Sequence, residues 1–461
     1  MDSRVKQDIM SVQYKLSTSA RGVKNMSVQD LKNRVCQCID ERKEDLLSLV
    51  KEIGGHAELG FKEVRTSSSV AAFLKELGLP VETGLAITGV KARLKGKESG
   101  PTVAILGELD GVISPDHPQA VKETRAAHAC GHNLQIGTML GAAMGLTCAG
   151  AGKELDGSVC FMGVPAEEFI EIEERMERRK KGEIHFLGGK QELVYQGAFD
   201  DIDMAMMAHA GTNMPHPTFL IGETGNGFIA KTIRYIGKAT HAAAAPHEGI
   251  NALNAAVLGI NAVHATRETF RDDDHVRVHF IITKGGDTVN SVPADVRLEA
   301  YVRGRSMDAI NGTHTKFDRA FRSGGDAVGA KTEIVTIPGY LPLACSKTMN
   351  DIFAKNAAKF VPQENIVVAP HFDGSTDMGD LCHIMPAIHP YFGGVTGALH
   401  SGDFRVVDYE AAVLLPAKVM ATTVIDLLYN GAGKGRELLK THRPLMTREE
   451  YLQTLERYFN M

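Results

Sequence analysis

The 461-residue sequence lacks several features that mark specialised classes of protein. Its formal net charge of -5 provides neither the basic surface of a nucleic-acid-binding protein nor an acidic tail. No apolar run approaches the roughly 20 residues that span a bilayer. Residues 1–25 hold scattered Lys and Arg but no apolar stretch typical of a secretory signal. We therefore expect a cytoplasmic protein with no nucleic-acid partner and no membrane association, and residues 1–25 as a loose arm.

Cysteine is scarce and irregularly spaced. The seven cysteines are an odd number without the spacing of a disulfide framework, which favours a reduced, intracellular protein. Cys148 and Cys160 lie in apolar stretches and are expected to be buried. Cys130 differs, because the sequence His128-Ala129-Cys130-Gly131-His132 places one sulfur and two imidazoles within five residues. Such a stretch is typical of a metal site or of a reactive thiol.

The order of the apolar residues predicts an α/β fold. Helical spacing covers residues 26–80, and strand-like runs of the buried, parallel-sheet kind follow at 102–106, 159–164 and 204–208. A helix of small residues at 133–150 lies between the first two runs. Each run ends in acids or a histidine. Because ligand sites in open α/β sheets lie beyond the carboxyl ends of the strands, we expect these endings to converge.

A chain of this length is expected to form two domains. The region 227–339 shows the order βαββαβ, which matches a ferredoxin-like unit. Its strands are predicted at 228–236, 275–283, 295–303 and 332–338, and its helices at 250–270 and 308–322. A helix at 347–360 and strands near 366 and 387 then resume the α/β pattern. We predict a catalytic domain over 26–222 and 341–430, an inserted α+β domain over 223–340, and an exposed helical extension over 431–461.

Several residues at strand ends and helix starts are of the types that a two-metal hydrolytic site requires. They are Cys130, His132, Glu167, Glu168, His209 and His400. Neighbouring side chains at a strand end point in different directions, so one glutamate can bind metal while the other serves as general base. A histidine at a strand end and a pair of glutamates at a helix start are each ordinary structural features. Their joint occurrence in one predicted domain favours a functional site.

Six short motifs occur in a fixed order between about residue 40 and residue 430. They are His56–Glu63, His128–His132, Val164–Glu168, Gly237–Ala242 with Pro246 and Gly249, Gly285–Pro293, and Ala398–Ser401. They resemble, in that order, HPELGFxE, HACGH, x-PAEE, GKxxHA…P…G, GGxxxNxxP and a C-terminal ligand segment. These are motifs of the M20 metallopeptidases, in the branch of aminoacylase-like and hippurate-hydrolase-like amidohydrolases.

The resemblance implies a zinc-peptidase-like catalytic domain with a mostly parallel sheet, and an inserted lid domain through which the protein forms a homodimer. It implies two divalent metal ions per subunit, zinc or manganese, with the Cys130 sulfur between them. The implied ligands are Cys130, His132, Glu168, His209 and His400. Glu167 matches the general base, while His241 and Asn290 match lid groups that stabilise the oxyanion in the partner's active site.

The reaction implied is hydrolysis of the amide bond of a small N-acyl or N-aroyl amino acid or dipeptide by metal-activated water. Glu167 would remove a proton from the water and pass it to the leaving amine. Arg303, at the end of a lid strand, is a candidate for holding a substrate carboxylate by a bidentate pair. A surface arginine is an equally good interpretation of the same residue.

The sequence departs from the family pattern at three places, one of which is the ligand segment His209-Ala210-Gly211, where relatives have Pro after the ligand. Asn133 follows the HACGH stretch where Asp is usual, which resembles the branch containing p-aminobenzoyl-glutamate hydrolase and M20 domain-containing dipeptidase-like proteins. The charged segment 169–181 replaces a short Gly-rich loop directly after Glu168. It is either a cap over the substrate channel or a solvated helix.

Other functions stay open. A hydrolase of the same fold could act on another C–N bond, such as that of an aryl amine. A catalytically silent binding protein is disfavoured, because Glu167 and all five ligand matches are retained. An enzyme with Cys130 as nucleophile would stay active when metal is chelated, whereas a metallohydrolase would not.

Overall fold

The computed structural model describes residues 26–222 and 224–461, so the predicted arm at 1–25 lies outside the described residues. The α-helices are, in chain order, α1 (Val28–Glu41), α2 (Lys43–Gly54), α3 (Val64–Glu76), α4 (His132–Cys148), α5 (Ile172–Lys180), α6 (Gly189–Tyr195), α7 (Ala252–Thr266), α8 (Met307–Val328), α9 (Lys347–Ala357), α10 (Met378–Ile384), α11 (Leu415–Leu428), α12 (Gly433–Thr441) and α13 (Arg448–Phe459).

The strands are, in chain order, β1 (Val81–Leu85), β2 (Gly89–Lys95), β3 (Glu98–Glu108), β4 (Val112–Ile113), β5 (Ala126–Ala127), β6 (Asp156–Val164), β7 (Met204–Met206), β8 (His209–Ala210), β9 (Phe219–Ile221), β10 (Thr224–Gly225), β11 (Gly227–Ile236), β12 (Arg277–Lys284), β13 (Asp295–Gly304), β14 (Lys331–Pro338), β15 (Leu343–Ala344), β16 (Ile366–Val368), β17 (Ala387–Ile388), β18 (Tyr391–Phe392), β19 (Val395–Thr396) and β20 (Arg405–Val406).

A six-stranded sheet forms the centre of the larger part of the molecule, in the order β1-β2-β6-β3-β7-β17. The last four strands of this order run parallel to one another. At one edge, β2 pairs antiparallel with β6, and β1 pairs antiparallel with β2. The three apolar runs of the sequence form β3, β6 and β7, which lie side by side. Their apolar residues are buried, as expected for strands covered on both faces. The predicted mostly parallel α/β sheet is confirmed.

Helix α4 packs closely against three other helices through glycines spaced four residues apart. A Cβ atom at Gly137 would lie 2.5 Å from a methyl of Val50, and one at Gly145 would lie 2.6 Å from Cγ1 of Ile39. At Gly141 the nearest neighbours belong to Leu46 and Ala417. The small-residue composition is therefore required by close helix crossing. This packing fixes the start of α4, and with it His132, beside the carboxyl end of β3.

The region from β11 to β14 forms a separate four-stranded antiparallel sheet in the order β12-β13-β11-β14. Helices α7 and α8 share an apolar core with this sheet, which includes Ile229, Leu298 and Phe321. This arrangement is the predicted ferredoxin-like unit. Strands β10 and β15 pair where the chain enters and leaves it. Strand β12 forms one edge of the sheet.

Several sequence-based expectations are wrong in detail. The run 204–208 does not continue as one strand, because β7 ends at Met206 and His209 begins β8 in another sheet, of order β16-β9-β18-β8. The strand near 366, β16, also belongs to that sheet. Cys160 is buried as expected, but Cys148 is exposed, since it lies at the end of α4.

The C-terminal residues are helical but not simply exposed. On α13, Tyr451, Leu455 and Tyr458 follow helical spacing on one face and are buried. The Tyr451 hydroxyl donates to Asp380 Oδ1 at 3.0 Å. Two of these residues join an apolar core of the larger part and Tyr458 joins that of the inserted unit. The expectation of an exposed extension is therefore wrong for α13, which packs against the apolar core of the larger part and against that of the inserted unit.

The expectation that no apolar stretch is long enough to cross a membrane is also wrong, because one helical span is long and apolar enough to do so. The helical span Glu410–Leu428 meets that test, with a mean hydropathy of 1.7 over its most apolar window. Of that window, 83% is buried inside the molecule, where the span packs beside α4 as a core helix.

Candidate metal centre

The five residues predicted as metal ligands come together beyond the carboxyl ends of the central strands. Cys130 Sγ lies 3.1 Å from His400 Nε2 and 3.4 Å from His209 Nε2. His400 Nε2 also lies 3.0 Å from Glu168 Oε1. The five residues form two groups that share Cys130, namely Cys130–His132–His209 and Cys130–Glu168–His400. Within each group the donor atoms all lie within 4.8 Å of one another.

Turns with left-handed backbone bring these segments together. Gly131 has a φ of 79° and precedes α4, while His400 and Ala166 adopt φ angles of 63° and 51° although they are not glycines. Such conformations persist only where surrounding contacts hold them. The His400 N–H donates to Ala129 O at 2.8 Å, which ties the Gly-rich turn to the Cys130 segment. The Ala166 N–H donates to Glu63 Oε1 at 2.8 Å, so the motif His56–Glu63 braces the loop that carries the paired glutamates.

Asp110 orients two of the predicted ligands. His132 Nδ1 donates to the Asp110 carbonyl at 2.9 Å and lies 3.2 Å from Asp110 Oδ1. The Glu168 N–H donates to Asp110 Oδ2 at 2.9 Å. These contacts leave His132 Nε2 free to face the other donors. Among the described residues, His132 Nε2 and Glu168 Oε1 are both buried without a hydrogen bond of acceptable geometry, which is the condition expected of atoms that face a cation.

The electrostatic environment separates the two adjacent glutamates. Burial alone would raise the pKa of Glu168, but His400, His132 and Cys130 together outweigh it and lower that pKa to about 2. Burial raises the pKa of Glu167 well above its ordinary value, and Glu108 and Glu168 raise it further. Burial would also raise the pKa of the Cys130 thiol, yet the surrounding histidines, His400 foremost, lower it to about 6. The site thus favours a thiolate and one carboxylate as donors, and a second carboxylate with a high affinity for a proton.

A cavity of about 570 Å³ opens onto these groups. Both glutamates and Arg303 line it, together with the rings of Phe169, Phe228, Tyr301, Tyr340, Phe372 and Tyr391. The Arg303 guanidinium lies 5.0 Å from the centroid of the Phe228 ring and 5.2 Å from that of Tyr301. Its Nε donates to His279 Nε2 at 3.4 Å, and it forms no ion pair with a carboxylate within the described residues. Arg303 is therefore available to an anionic group in the cavity.

His241 and Asn290 are not brought to this cavity. Both are exposed in turns of the inserted unit, where the Ala242 N–H donates to Asn290 O at 2.9 Å. His241 Nδ1 accepts from the N–H groups of Ala243 and Ala244. The two residues are thus neighbours of one another, and neither lines the cavity onto which the donors open.

His128 is buried, and neither of its ring nitrogens has a hydrogen-bond partner. Burial lowers its pKa to about 3, so the ring is neutral. It belongs to neither donor group.

The segment 169–181 divides into two parts. Phe169 and Ile170 line the cavity directly after the paired glutamates, and the helix α5 begins only at Ile172. Ile172 and Arg175 are buried, whereas Lys62 pairs with Glu174 at 2.7 Å on the outside. The segment therefore forms one wall of the cavity at its start and a partly solvated helix beyond it.

Sequence reasoning missed a buried group next to the predicted ligands. Lys190 Nζ lies 2.7 Å from Glu108 Oε1 and contacts Asp377 Oδ1, and all three side chains are fully buried. Glu108 and Asp110 were visible as the acids that end the first apolar run. Lys190 carried no local signal, because its partners lie 82 and 187 residues away.

The fold, the shared-cysteine donor cluster and the matches to known proteins together define a hydrolase that acts on C–N bonds. The model of peptidase family M20/M25/M40 matches residues 104–426. The chain belongs to this family. It is 30% identical to a mouse Xaa-Arg dipeptidase over 431 residues, which are 87% of this chain and 90% of the relative.

Two solved structures share the fold. One is YxeP of Bacillus subtilis, described as a dinuclear metal-binding peptidase from the M20 family, with a TM-score of 0.62 and 22% identity over 84% of this chain and 98% of that one. The other is an aminobenzoyl-glutamate utilization protein of Klebsiella pneumoniae, with a TM-score of 0.64 and 19% identity over 85% of this chain and 98% of that one.

Proposed function

We propose that the protein is a dinuclear metal-dependent amidohydrolase that cleaves the amide bond of a small N-acyl or N-aroyl amino acid or dipeptide. One observation carries the proposal: two donor groups share Cys130, and Glu167 lies beside them in the same cavity. The dinuclear peptidase of B. subtilis and the mouse dipeptidase support it by similarity. Residues 223–340 form the lid and dimerisation domain in this proposal.

The donors suit a pair of zinc or manganese ions. Cys130, His132 and His209 would hold one ion, and Cys130, Glu168 and His400 would hold the other. Thiolate, imidazole and carboxylate are the usual zinc ligands, and the carboxylate also suits manganese. His132 Nε2 and Glu168 Oε1, which are buried and form no hydrogen bond of acceptable geometry within the described residues, fit this assignment.

When bound, such ions lower the pKa of water and polarise a carbonyl oxygen. Glu167 accepts the proton of the attacking water at its carboxylate and delivers it to the nitrogen of the leaving amine. Its raised pKa favours holding the proton between these two transfers. Arg303 holds the substrate carboxylate through a charge-assisted pair.

The partner chain completes the site in this proposal. His241 and Asn290 are exposed together on the inserted unit, so they can reach a second copy of the chain. There they donate to the oxyanion of the tetrahedral intermediate. The edge strand β12 exposes Ile281 and Ile282, with 62% and 45% of their surfaces accessible, which favours a dimer formed through this unit.

Metal analysis combined with a substrate screen tests the function. The purified protein is analysed for bound metals and assayed with N-acyl amino acids, aminobenzoyl conjugates and dipeptides, including Xaa-Arg dipeptides. We expect two metal equivalents per chain and amide hydrolysis that a chelator abolishes and added metal restores. Activity that survives complete metal removal would contradict the proposal and favour Cys130 as a nucleophile. Turnover of aryl-amine substrates alone would favour the alternative function, a hydrolase of the same fold that cleaves the C–N bond of an aryl amine.

A further inference from the structure

The buried group of Lys190, Glu108 and Asp377 has no part in the proposed reaction. Each of the three side chains is fully buried, and Lys190 Nζ bridges the two carboxylates. Burying three charges is costly unless each is compensated. Two carboxylates and one ammonium leave a net charge of −1 inside the protein. A further positive partner is therefore expected next to this group.

Glu108 turns its second oxygen towards a predicted metal ligand. Glu108 Oε2 accepts from Gln135 Nε2 at 2.9 Å and lies 3.1 Å from His132 Nε2. Because His132 Nδ1 is bound to Asp110, Nε2 is the ring nitrogen that faces Glu108. A nitrogen and a carboxylate oxygen 3.1 Å apart require a positive charge between them, which a proton supplies in the metal-free protein and a metal ion would supply when bound. Within the part of the chain that the structure describes, no hydrogen bond of acceptable geometry involves His132 Nε2, although this atom is buried.

We propose that Glu108 is a sixth donor of the metal centre, on the side of Cys130, His132 and His209, and that Lys190 is the residue that positions it. The proposal rests on the metal centre proposed above. Glu108, His132 and Glu167 place donor atoms within 4.8 Å of one another, so Glu108 extends the first donor group through His132. Two donors at about 2.0–2.2 Å from one zinc ion lie roughly 3–3.5 Å apart, which agrees with the separation of His132 Nε2 and Glu108 Oε2.

The chain is built to bring Lys190 to this place. After the charged segment, the backbone returns to the paired-glutamate loop at Gly189, whose N–H donates to Ala166 O at 3.1 Å. A Cβ atom at Gly189 would lie 1.6 Å from Pro165 O, so only glycine permits this approach. Lys190 Nζ then binds Oε1 of Glu108, while Oε2 of Glu108 faces His132.

Metal affinity measured on a double-mutant cycle tests the proposal. The wild type, Glu108→Gln, Lys190→Met and the double variant are titrated with Zn²⁺ by equilibrium dialysis and analysed for bound metal. We expect either single substitution to weaken one of the two metal equivalents by about 10–100-fold. We expect the double variant to be no weaker than Glu108→Gln, since Lys190 acts through Glu108.

Two matched controls distinguish the positioning of Glu108 by Lys190 from the general effect of removing a buried charge. Asp377→Asn alters the other partner of Lys190, and Lys231→Met removes a buried lysine of the inserted unit, which pairs with Asp318 Oδ1 at 2.8 Å. Both are expected to keep the two metal affinities of the wild type. Glu108→Gln preserves the shape of the side chain, so it remains a test if Lys190→Met does not fold.

Unchanged zinc affinity in Glu108→Gln would overturn the proposal, and additive losses in the double variant would overturn the role of Lys190. A wild type that binds no metal would instead overturn the proposed function. The two failures are thus distinguishable.

Discussion

At the residue scale, the adjacent glutamates show how environment assigns different tasks to one side-chain type. Burial would raise the pKa of Glu168, but His400 and then His132 and Cys130 together lower it to about 2. Burial, followed by Glu108 and Glu168, raises the pKa of Glu167. A carboxylate that stays ionised is suited to bind metal. A carboxylate that binds protons readily is suited to act as general base.

The first prediction concerns Glu167. We expect Glu167→Gln to keep both metal equivalents and to lower kcat by about 10²–10⁴-fold, because proton transfer is lost while the donors remain. Metal content and steady-state kinetics of the same preparation measure this. Glu168→Gln is the matched comparison and should lose metal. Loss of metal from Glu167→Gln, or turnover close to that of the wild type, would show that Glu167 is not the base.

The second prediction concerns Glu63 and pH. Burial, followed by the nearby Asp110, raises the pKa of Glu63 from 4.5 to about 7 in the folded protein. The folded state therefore binds more protons than the unfolded state between these values, and stability falls as pH rises through this window. The slope from this residue is at most about 1.4 kcal/mol per pH unit.

The comparison with Glu63→Gln isolates this effect. A glutamine can still accept from the Ala166 N–H and bond the Thr88 hydroxyl, which are the contacts of Glu63. Denaturant unfolding of both proteins between pH 4.5 and 8 is the measurement. We expect the free energy of unfolding of the wild type to fall relative to that of the variant as pH rises to about 7. Above pH 7, we expect the difference between the two proteins to stay constant. A constant difference across the range would contradict the shifted pKa.

Individual site residues differ in how far the sequence predicts them. Cys130, His132, the paired glutamates, His209 and His400 each belong to a recognisable local pattern, and the structure places all of them together. Lys190 was missed because its role depends on contacts with residues distant in the chain. Such contacts are set by the packing of the whole sheet and leave no local pattern.

At the element scale, apolar runs predict which strands exist better than where they end. The run 204–208 continues unbroken to His209, but the backbone changes sheets after Met206, because β8 pairs with β18 rather than with β3. This switch depends on a partner about 180 residues later. In the same way, the alternating polarity of α13 does not show that Tyr451 would meet Asp380.

The third prediction concerns helix α5, whose two faces differ. Ile172 is buried among Phe169, Phe228 and Tyr340, at the junction of the cavity with the inserted sheet. Lys180 on the same helix has 65% of its side chain exposed. We expect Ile172→Ala to reduce the free energy of unfolding by about 2–4 kcal/mol, and Lys180→Ala by less than about 0.5 kcal/mol. Chemical denaturation measures both, and equal effects would show that α5 is a solvated appendage.

At the scale of the whole molecule, the site described in one chain is incomplete for the proposed chemistry. Four of the five predicted ligands line one cavity with Glu167 and Arg303, while His241 and Asn290 are exposed and do not line it. If these two groups serve the reaction, they serve the cavity of another copy. Two chains that are each inactive for a different reason should then restore one another.

The fourth prediction is this complementation. Glu167→Gln and His241→Ala chains are mixed, unfolded and refolded together, so that mixed dimers form at random. One site of each mixed dimer then combines an intact Glu167 with an intact His241 from the other chain, and we expect about a quarter of the wild-type activity. Replacing the His241→Ala chain by the double variant Glu167→Gln/His241→Ala is the control, because no intact site can then form. An active monomer, or a mixture that shows only the average activity of its two parents, would place His241 outside the reaction and leave the exposed edge of β12 without a role in catalysis.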